Sequence, residues 1–151
     1  MPASSKPARN DPKLPTFICF AIYSANLAFG RAYKPLLDEL GLTYTQYITL
    51  VALADEDGLT VSALGEKLFL ESNTLTPILK KLESLGYLQR RRDPADERQV
   101  RLTLLPAGRA LVDKDPGAAL FDATGLGTDF TRVQQEIADL RDNMLRNSKA
   151  A

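Results

Sequence analysis

The 151-residue chain has one cysteine, Cys19, and a tyrosine, Tyr23, four positions after it. On a helix these two share a face. Tyr33 lies fourteen positions beyond Cys19, close to a whole number of turns, and falls on the same face. A thiol among phenol donors suits redox chemistry, because the thiolate is the reactive form and hydroxyls aimed at sulfur favour it. At about 1.5 Å of rise per residue, Cys19 and Tyr33 stand roughly 21 Å apart on one straight helix, too far for a hydrogen bond. An antiparallel second copy, its first helix crossing near Asn26, would bring Tyr33 of one chain to Cys19 of the other.

Other chemistry is narrowed by what the chain lacks. It has no histidine, so a Cys/His zinc site and a Ser-His-Asp or Cys-His catalytic arrangement are unavailable within one chain. The expectation is a protein that is not an enzyme and holds no metal or cofactor. Net charge is zero, yet the stretch 80–101 carries Lys80, Lys81, Arg90, Arg91, Arg92, Arg98 and Arg101 against Glu83, Asp93, Asp96 and Glu97. That local basic excess is the kind that meets phosphates. No apolar run approaches a membrane span and residues 1–7 lack the core of a secretory signal, so the expected location is the cytoplasm.

The element that must position Cys19 is a helix expected over residues 16–32, where Phe17, Phe20, Ile22, Leu27 and Phe29 wrap much of the surface and suit burial between subunits. Pro35 is expected to kink or restart it. Gly41 stops it, and Thr43 caps a second helix with Tyr47, Leu50, Val51 and Leu53 near one face before Asp57-Gly58. Tyr44 and Tyr47 read as core. Thr60 or Ser62 caps a short helix whose Val61, Leu64 and Leu68 are buried. After a break at 69–71, a helix runs over residues 72–85 to Gly86, with Leu75, Ile78, Leu79, Leu82 and Leu85 inward and Asn73, Thr76, Lys80 and Lys81 outward. Pro77 fits only in its first turn or with a bend.

Residues 87–92 and 99–104 alternate around the turn-forming Asp93-Pro94-Ala95-Asp96 and predict a β-hairpin. Pro106 opens a further helix, Pro116-Gly117 interrupts it, and a last helix carries the stripe Phe130, Val133, Ile137, Leu140 and Met144. Helix, short helix, turn, second helix and basic hairpin is the order of a winged helix-turn-helix. The expected fold class is α+β, mostly helical. The division is a flexible arm at 1–13, dimerisation and sensor helices at 14–42, the DNA-binding region at 43–105 and C-terminal dimerisation helices at 106–151, in one continuous domain.

The hairpin run Asp96-Glu97-Arg98-Gln99-Val100-Arg101-Leu102-Thr103 resembles the wing signature of the MarR superfamily of bacterial transcription regulators. Cys19 with Tyr23 and Tyr33, and the runs 36–44 and 74–83, resemble the organic-hydroperoxide-resistance regulators, OhrR, over about residues 17–126. The resemblance implies a homodimeric repressor whose reduced form binds a near-palindromic operator in double-stranded DNA and whose oxidised form releases it. It maps the reactive cysteine to Cys19 and its hydrogen-bonding tyrosines to Tyr23 and Tyr33, with an organic hydroperoxide as oxidant. Many members carry a resolving cysteine where this chain has Asp122. The chain therefore resembles the one-cysteine branch, in which a small thiol or a backbone nitrogen traps the sulfenic acid, or the sulfur passes to irreversible states.

On the expected recognition helix, Ser72, Asn73, Thr74 and Thr76 are candidates for base or phosphate contact, and Lys80, Lys81, Arg90 and Arg92 for phosphate. Arg98 has two readings: insertion into the minor groove from the wing tip, or pairing with Asp93 or Asp96 to hold the hairpin. Two other functions fit parts of the pattern. One is a MarR-type repressor induced by a small aromatic ligand, with Cys19 incidental. The other is a one-cysteine thiol peroxidase, whose turnover would need a second thiol or a reductase.

Overall fold

A computed structural model describes residues 13–149. All but the last residue of the expected flexible arm at 1–13 lies outside the described residues. A short 3-10 turn at Leu14–Thr16 leads into helix α1, Ile18–Leu40. This helix continues through Pro35 without the restart that was one of the two expected outcomes. Proline deletes one i→i−4 bond, but Pro35 is exposed, so water can serve the orphaned Arg31 carbonyl while the turns on either side propagate the helix. Gly41 ends α1 in the left-handed region at φ 66°, and Leu42 N–H closes onto Leu37 O at 3.1 Å.

Helix α2, Tyr44–Asp55, starts with a full capping box: Thr43 Oγ1 accepts from Gln46 N–H, and Gln46 Oε1 accepts from Thr43 N–H. Helix α3, Val61–Leu68, takes Thr60 as its cap rather than Ser62, with Ala63 N–H donating to Thr60 Oγ1 at 3.1 Å. Its tight turn into α4, Ser72–Ser84, needs Gly65, because a Cβ there would lie 2.7 Å from the Leu70 carbonyl oxygen. Pro77 sits in the second turn of α4, past the first-turn position that suits proline best. The bond it forgoes would end on Asn73, at the exposed start of the helix, where water replaces it. Leu85 is the C-cap and is 40% exposed, so it leaves the inner face assigned to it.

Strands β1, Leu88–Arg92, and β2, Val100–Leu104, form the antiparallel hairpin, with Arg90 opposite Leu102. The segment after α2 adds to its far side: Gly58 N–H donates to Leu102 O, and Leu102 N–H to Leu59 O. Asp57 Oδ1 accepts from Leu104 N–H at 2.9 Å and from Gly58 N–H at 3.0 Å. Helices α5, Pro106–Asp113, α6, Ala119–Ala123, and α7, Phe130–Lys149, complete the described chain. The expected class, mostly helical with a winged helix-turn-helix, is the observed one.

The core lies around α2, where Leu50 and Leu53 meet Leu64, Leu75, Leu82 and Leu102, all fully buried. Each such leucine contributes about 1.5–3 kcal/mol by leaving water. Tyr47 belongs to this core, but Tyr44, expected there, is 46% exposed, and Val51 also faces out. Their positions on α2 point toward α1 and solvent rather than toward α3 and α4. The outer helices are different. In α1 only Leu37 is buried and in α7 no residue is, although both carry long apolar stripes.

Candidate functional site

Two surfaces carry the residues singled out by the sequence. The first is the outward face of α4 with the hairpin. Ser72, Asn73, Thr74, Thr76, Lys80 and Lys81 are all exposed on α4. The Thr76 hydroxyl donates to Ser72 O at 2.8 Å, which aims its lone pairs outward. Lys80, Lys81 and Arg91 form no ion pair among the described residues. Between α4, the start of α3 and the hairpin lies a cleft of about 320 Å³. Ser72, Thr76, Arg90 and Arg98 line it together with Ser62 and Gln99.

The arginines of the hairpin separate by partner. Arg90 is tied to Glu83 on α4: its Nη2 and Nε donate to Oε1 at 2.9 and 3.1 Å, and its backbone N–H donates to Oε2 at 2.8 Å. These bonds hold the Glu83 carboxyl below the ordinary carboxylate range. Arg92 reaches the Glu97 carbonyl at 3.0 Å. Arg101 pairs with Asp93 at 2.8 Å and donates to the Gly58 carbonyl. The Asp93 carboxyl is lowered by the Ala95 N–H first and then by Arg101. Arg98 pairs with Asp96 at 3.3 Å, yet its side chain is 91% exposed at the tip. Of the two readings for Arg98, the pair with Asp96 is present, and so much exposure leaves the guanidinium free to reach outward.

The second surface is the face of α1. Cys19 is exposed and Tyr23 is 60% exposed one turn along, with no hydrogen bond between them among the described residues. Phe17, Ile18, Phe20 and Ile22 around them are also exposed. Tyr33 lies on the same continuous helix, half-buried, its ring 5.1 Å from Tyr44 and 6.1 Å from Tyr47. Burial raises the Tyr33 hydroxyl above its ordinary value, and the Tyr44 and Asp115 charges add to it. Burial likewise raises Tyr47, with the Gly117 amide opposing. The α5–α6 linker touches this cluster closely: a Cβ on Gly117 would come within 2.6 Å of Tyr33 Oη. Asp122 is exposed on α6.

A family profile described as transcriptional regulator SarA/Rot matches residues 31–114. The organic hydroperoxide resistance transcriptional regulator of Bacillus subtilis (strain 168) is 37% identical over 135 residues, covering 87% of this chain and 92% of that protein. The chain belongs to the MarR superfamily of transcription regulators. The HTH-type transcriptional regulator TtmR of Methylorubrum extorquens (strain PA1) is 50% identical to this MarR-superfamily chain over 111 residues. That match covers 73% of the chain, which spans 57% of the length of TtmR. The reduced form of AbfR, a Staphylococcus epidermidis protein, bound to DNA superposes with a TM-score of 0.72 at 32% identity, covering 84% of this chain and 91% of that one. The chain is thus a DNA-binding transcriptional regulator, and no described helix is long and apolar enough to cross a membrane.

Several residues of this MarR-superfamily surface escaped the sequence reading. Ser62 and Gln99, read as a helix-cap candidate and as part of the wing run, also line the cleft, and Glu83 gains a partner in Arg90 that its place in the run 74–83 does not indicate. Asp57 reads as a helix terminator. Only its side chain's reach to Leu104, 47 positions away, gives it a second role.

Proposed function

We propose that the protein is a homodimeric repressor that senses organic hydroperoxides through Cys19 and then releases its operator. The observation that carries this is the sole cysteine exposed beside Tyr23 on an apolar helix face that its own chain leaves uncovered. A free surface of Phe17, Ile18, Ile22 and Phe29 on one helix, with Ile137 and Met144 on another, suits a second copy. In an antiparallel pairing of α1 helices the partner's Tyr33 would meet Cys19. The likeness to the Bacillus regulator supports the oxidant class, and the likeness to DNA-bound AbfR supports the duplex partner.

In the reduced dimer, Ser72, Asn73, Thr74 and Thr76 of each recognition helix would enter the major groove, with Lys80, Lys81, Arg90 and Arg92 on phosphates and Arg98 at the wing tip. Half-sites would repeat about every 34 Å. On oxidation the Cys19 thiolate attacks a peroxide oxygen. The O–O bond breaks, an S–O bond forms, the sulfur loses two electrons, and the alcohol leaves with a proton. The sulfenic acid has lost the hydrogen-bond pattern that Tyr23 and Tyr33 served, and the junction repacks. With Asp122 in place of a second thiol, a small thiol or a backbone nitrogen would trap the sulfenic acid, or the sulfur would pass to irreversible states.

The test is fluorescence anisotropy at fixed salt with a labelled duplex selected from a randomised pool by the reduced protein, before and after tert-butyl hydroperoxide. Wild type should bind and then release, and Cys19→Ser should bind and stay. Release of Cys19→Ser as well would remove Cys19 from the mechanism. A second reading has one observation in its favour: a pocket of about 610 Å³ along α1, closed on one side by Tyr44 of α2 and lined by Phe29, Tyr33 and Arg31, has the size for an aromatic acid with Arg31 as its cation, Lys34 at its rim being paired with Asp38. Salicylate releasing both proteins equally would establish that reading.

A further inference from the structure

The Glu83–Arg90 pair joins α4 to the hairpin beside the cleft that Arg90 lines. A guanidinium has five N–H donors in a fixed plane. Arg90 spends Nε–H and one Nη2–H on Glu83 Oε1, while Oε2 takes the Arg90 backbone N–H. The other three donors, two on Nη1 and one on Nη2, find no acceptor among the described residues. The pair is mostly sheltered, with side-chain exposures of 29% for Arg90 and 35% for Glu83. Arg90 lines the cleft alongside Ser72, Thr76 and Arg98. Register explains the geometry. Leu102 sends its N–H and carbonyl away from β1, to Leu59 and Gly58, so Arg90 opposite it also turns its N–H outward, onto Glu83.

We propose that Glu83 is a positioning residue for operator binding, holding the Arg90 guanidinium so that its unused edge meets a DNA phosphate in the cleft. This rests on the DNA-binding surface described above. The arrangement has an unusual electrostatic signature. A carboxylate beside DNA repels phosphates, so neutralising one ordinarily tightens binding, here by roughly twofold at moderate salt. Glu83 works through Arg90, and an unheld arginine loses rotamer freedom when it binds, so removing the carboxylate weakens the contact.

The measurement is a double-mutant cycle of Glu83→Gln and Arg90→Ala, read by anisotropy on the duplex selected by wild type, at one salt concentration. Glu83→Gln is expected to weaken binding by roughly five- to twentyfold in the wild-type background. In the Arg90→Ala background the same substitution should leave affinity unchanged or tighten it, because only the repulsion is then removed. A reversal of sign is something a purely structural defect would not produce. Equal losses in both backgrounds, or tighter binding by Glu83→Gln alone, would overturn the proposal. Arg90→Lys supplies a second arm if Glu83→Gln melts near the assay temperature. Lysine keeps the charge but cannot hold Glu83 and a phosphate in one plane, so it should bind like Arg90→Ala. Binding like wild type would count against the positioning role. Failure of wild type to select any duplex would instead sink the operator reading itself.

Discussion

Gly117→Ala should destabilise the protein, and Tyr33→Phe should cancel the effect. The added Cβ would stand 2.6 Å from Tyr33 Oη, while the next ring atoms are already at 3.5 and 3.6 Å, ordinary contact. The hydroxyl must therefore retreat by most of an ångström, against rings of Tyr44 and Tyr47 that hold it from the other side. Overpacking of this kind costs about 1–3 kcal/mol. The lower entropy of alanine in the unfolded chain returns about 0.4–1 kcal/mol, so the net loss is about 1–2 kcal/mol. Tyr33 Oη has no hydrogen-bond partner within the described residues, so Tyr33→Phe alone should change stability little. In the double variant the clash is gone and only the alanine gain remains. Urea unfolding of all four proteins at one fixed concentration gives the coupling, expected at about 1–3 kcal/mol, the full overpacking cost, because the alanine gain cancels in the cycle. Additive effects, within about 0.4 kcal/mol, would show that Tyr33 and the α5–α6 linker do not press on each other.

Two further outcomes follow from the hairpin's anchors. Asp57→Ala leaves the Leu104 N–H without its acceptor, while Gly58 N–H keeps Leu102 O, which should cost about 1–2 kcal/mol in urea unfolding and speed exchange of the Leu104 amide. Asp93 should give the fold an acid-sensitive component. Its pKa is depressed in the folded state, by the Ala95 N–H and then by Arg101, so the folded protein binds fewer protons than the unfolded chain near and below the ordinary value of 3.8. That stability is present above the ordinary value and is lost as pH falls through the folded one. The urea midpoint of Asp93→Asn should accordingly change less than that of wild type between about pH 5 and about pH 2.5, and an identical slope would remove Asp93 as the cause.

The elements most legible in the sequence are those set by neighbours. Thr43 with Gln46 three positions on, Gly41 and Gly86 past helix ends, and the turn Asp93-Pro94-Ala95-Asp96 each specify a local backbone state, and each is where the sequence places it. The leucines of α4 follow helical period, so Leu75, Leu79 and Leu82 are buried as read, and Leu85 fails only because the helix has already ended there. Pro35 does not restart the helix because its penalty is local, small beside the propagation of 23 residues of helix. The site divides in the same way. The exposure of Ser72, Asn73, Thr74, Thr76, Lys80 and Lys81 is legible from α4 alone. The partners of Arg90, Arg101, Asp57 and Tyr33 come from other elements, and no spacing rule reaches them.

The register that turns Arg90 toward Glu83 has a consequence for solubility. A two-stranded ribbon exposes two rows of backbone donors and acceptors on which another chain can template. Here the outward N–H of Leu102 goes to Leu59, that of Leu104 to Asp57 and that of Arg90 to Glu83. The middle of each margin is thus engaged by the protein's own groups, Leu102 and Leu104 by the segment after α2 and Arg90 N–H by the Glu83 carboxylate. The β-prone run Val100-Arg101-Leu102-Thr103-Leu104 is accordingly covered at its Leu102–Leu104 end, where strand addition is blocked. Changes at the tip, from Pro94 to Arg98, lie away from this covered end and leave its protection against strand exchange in place.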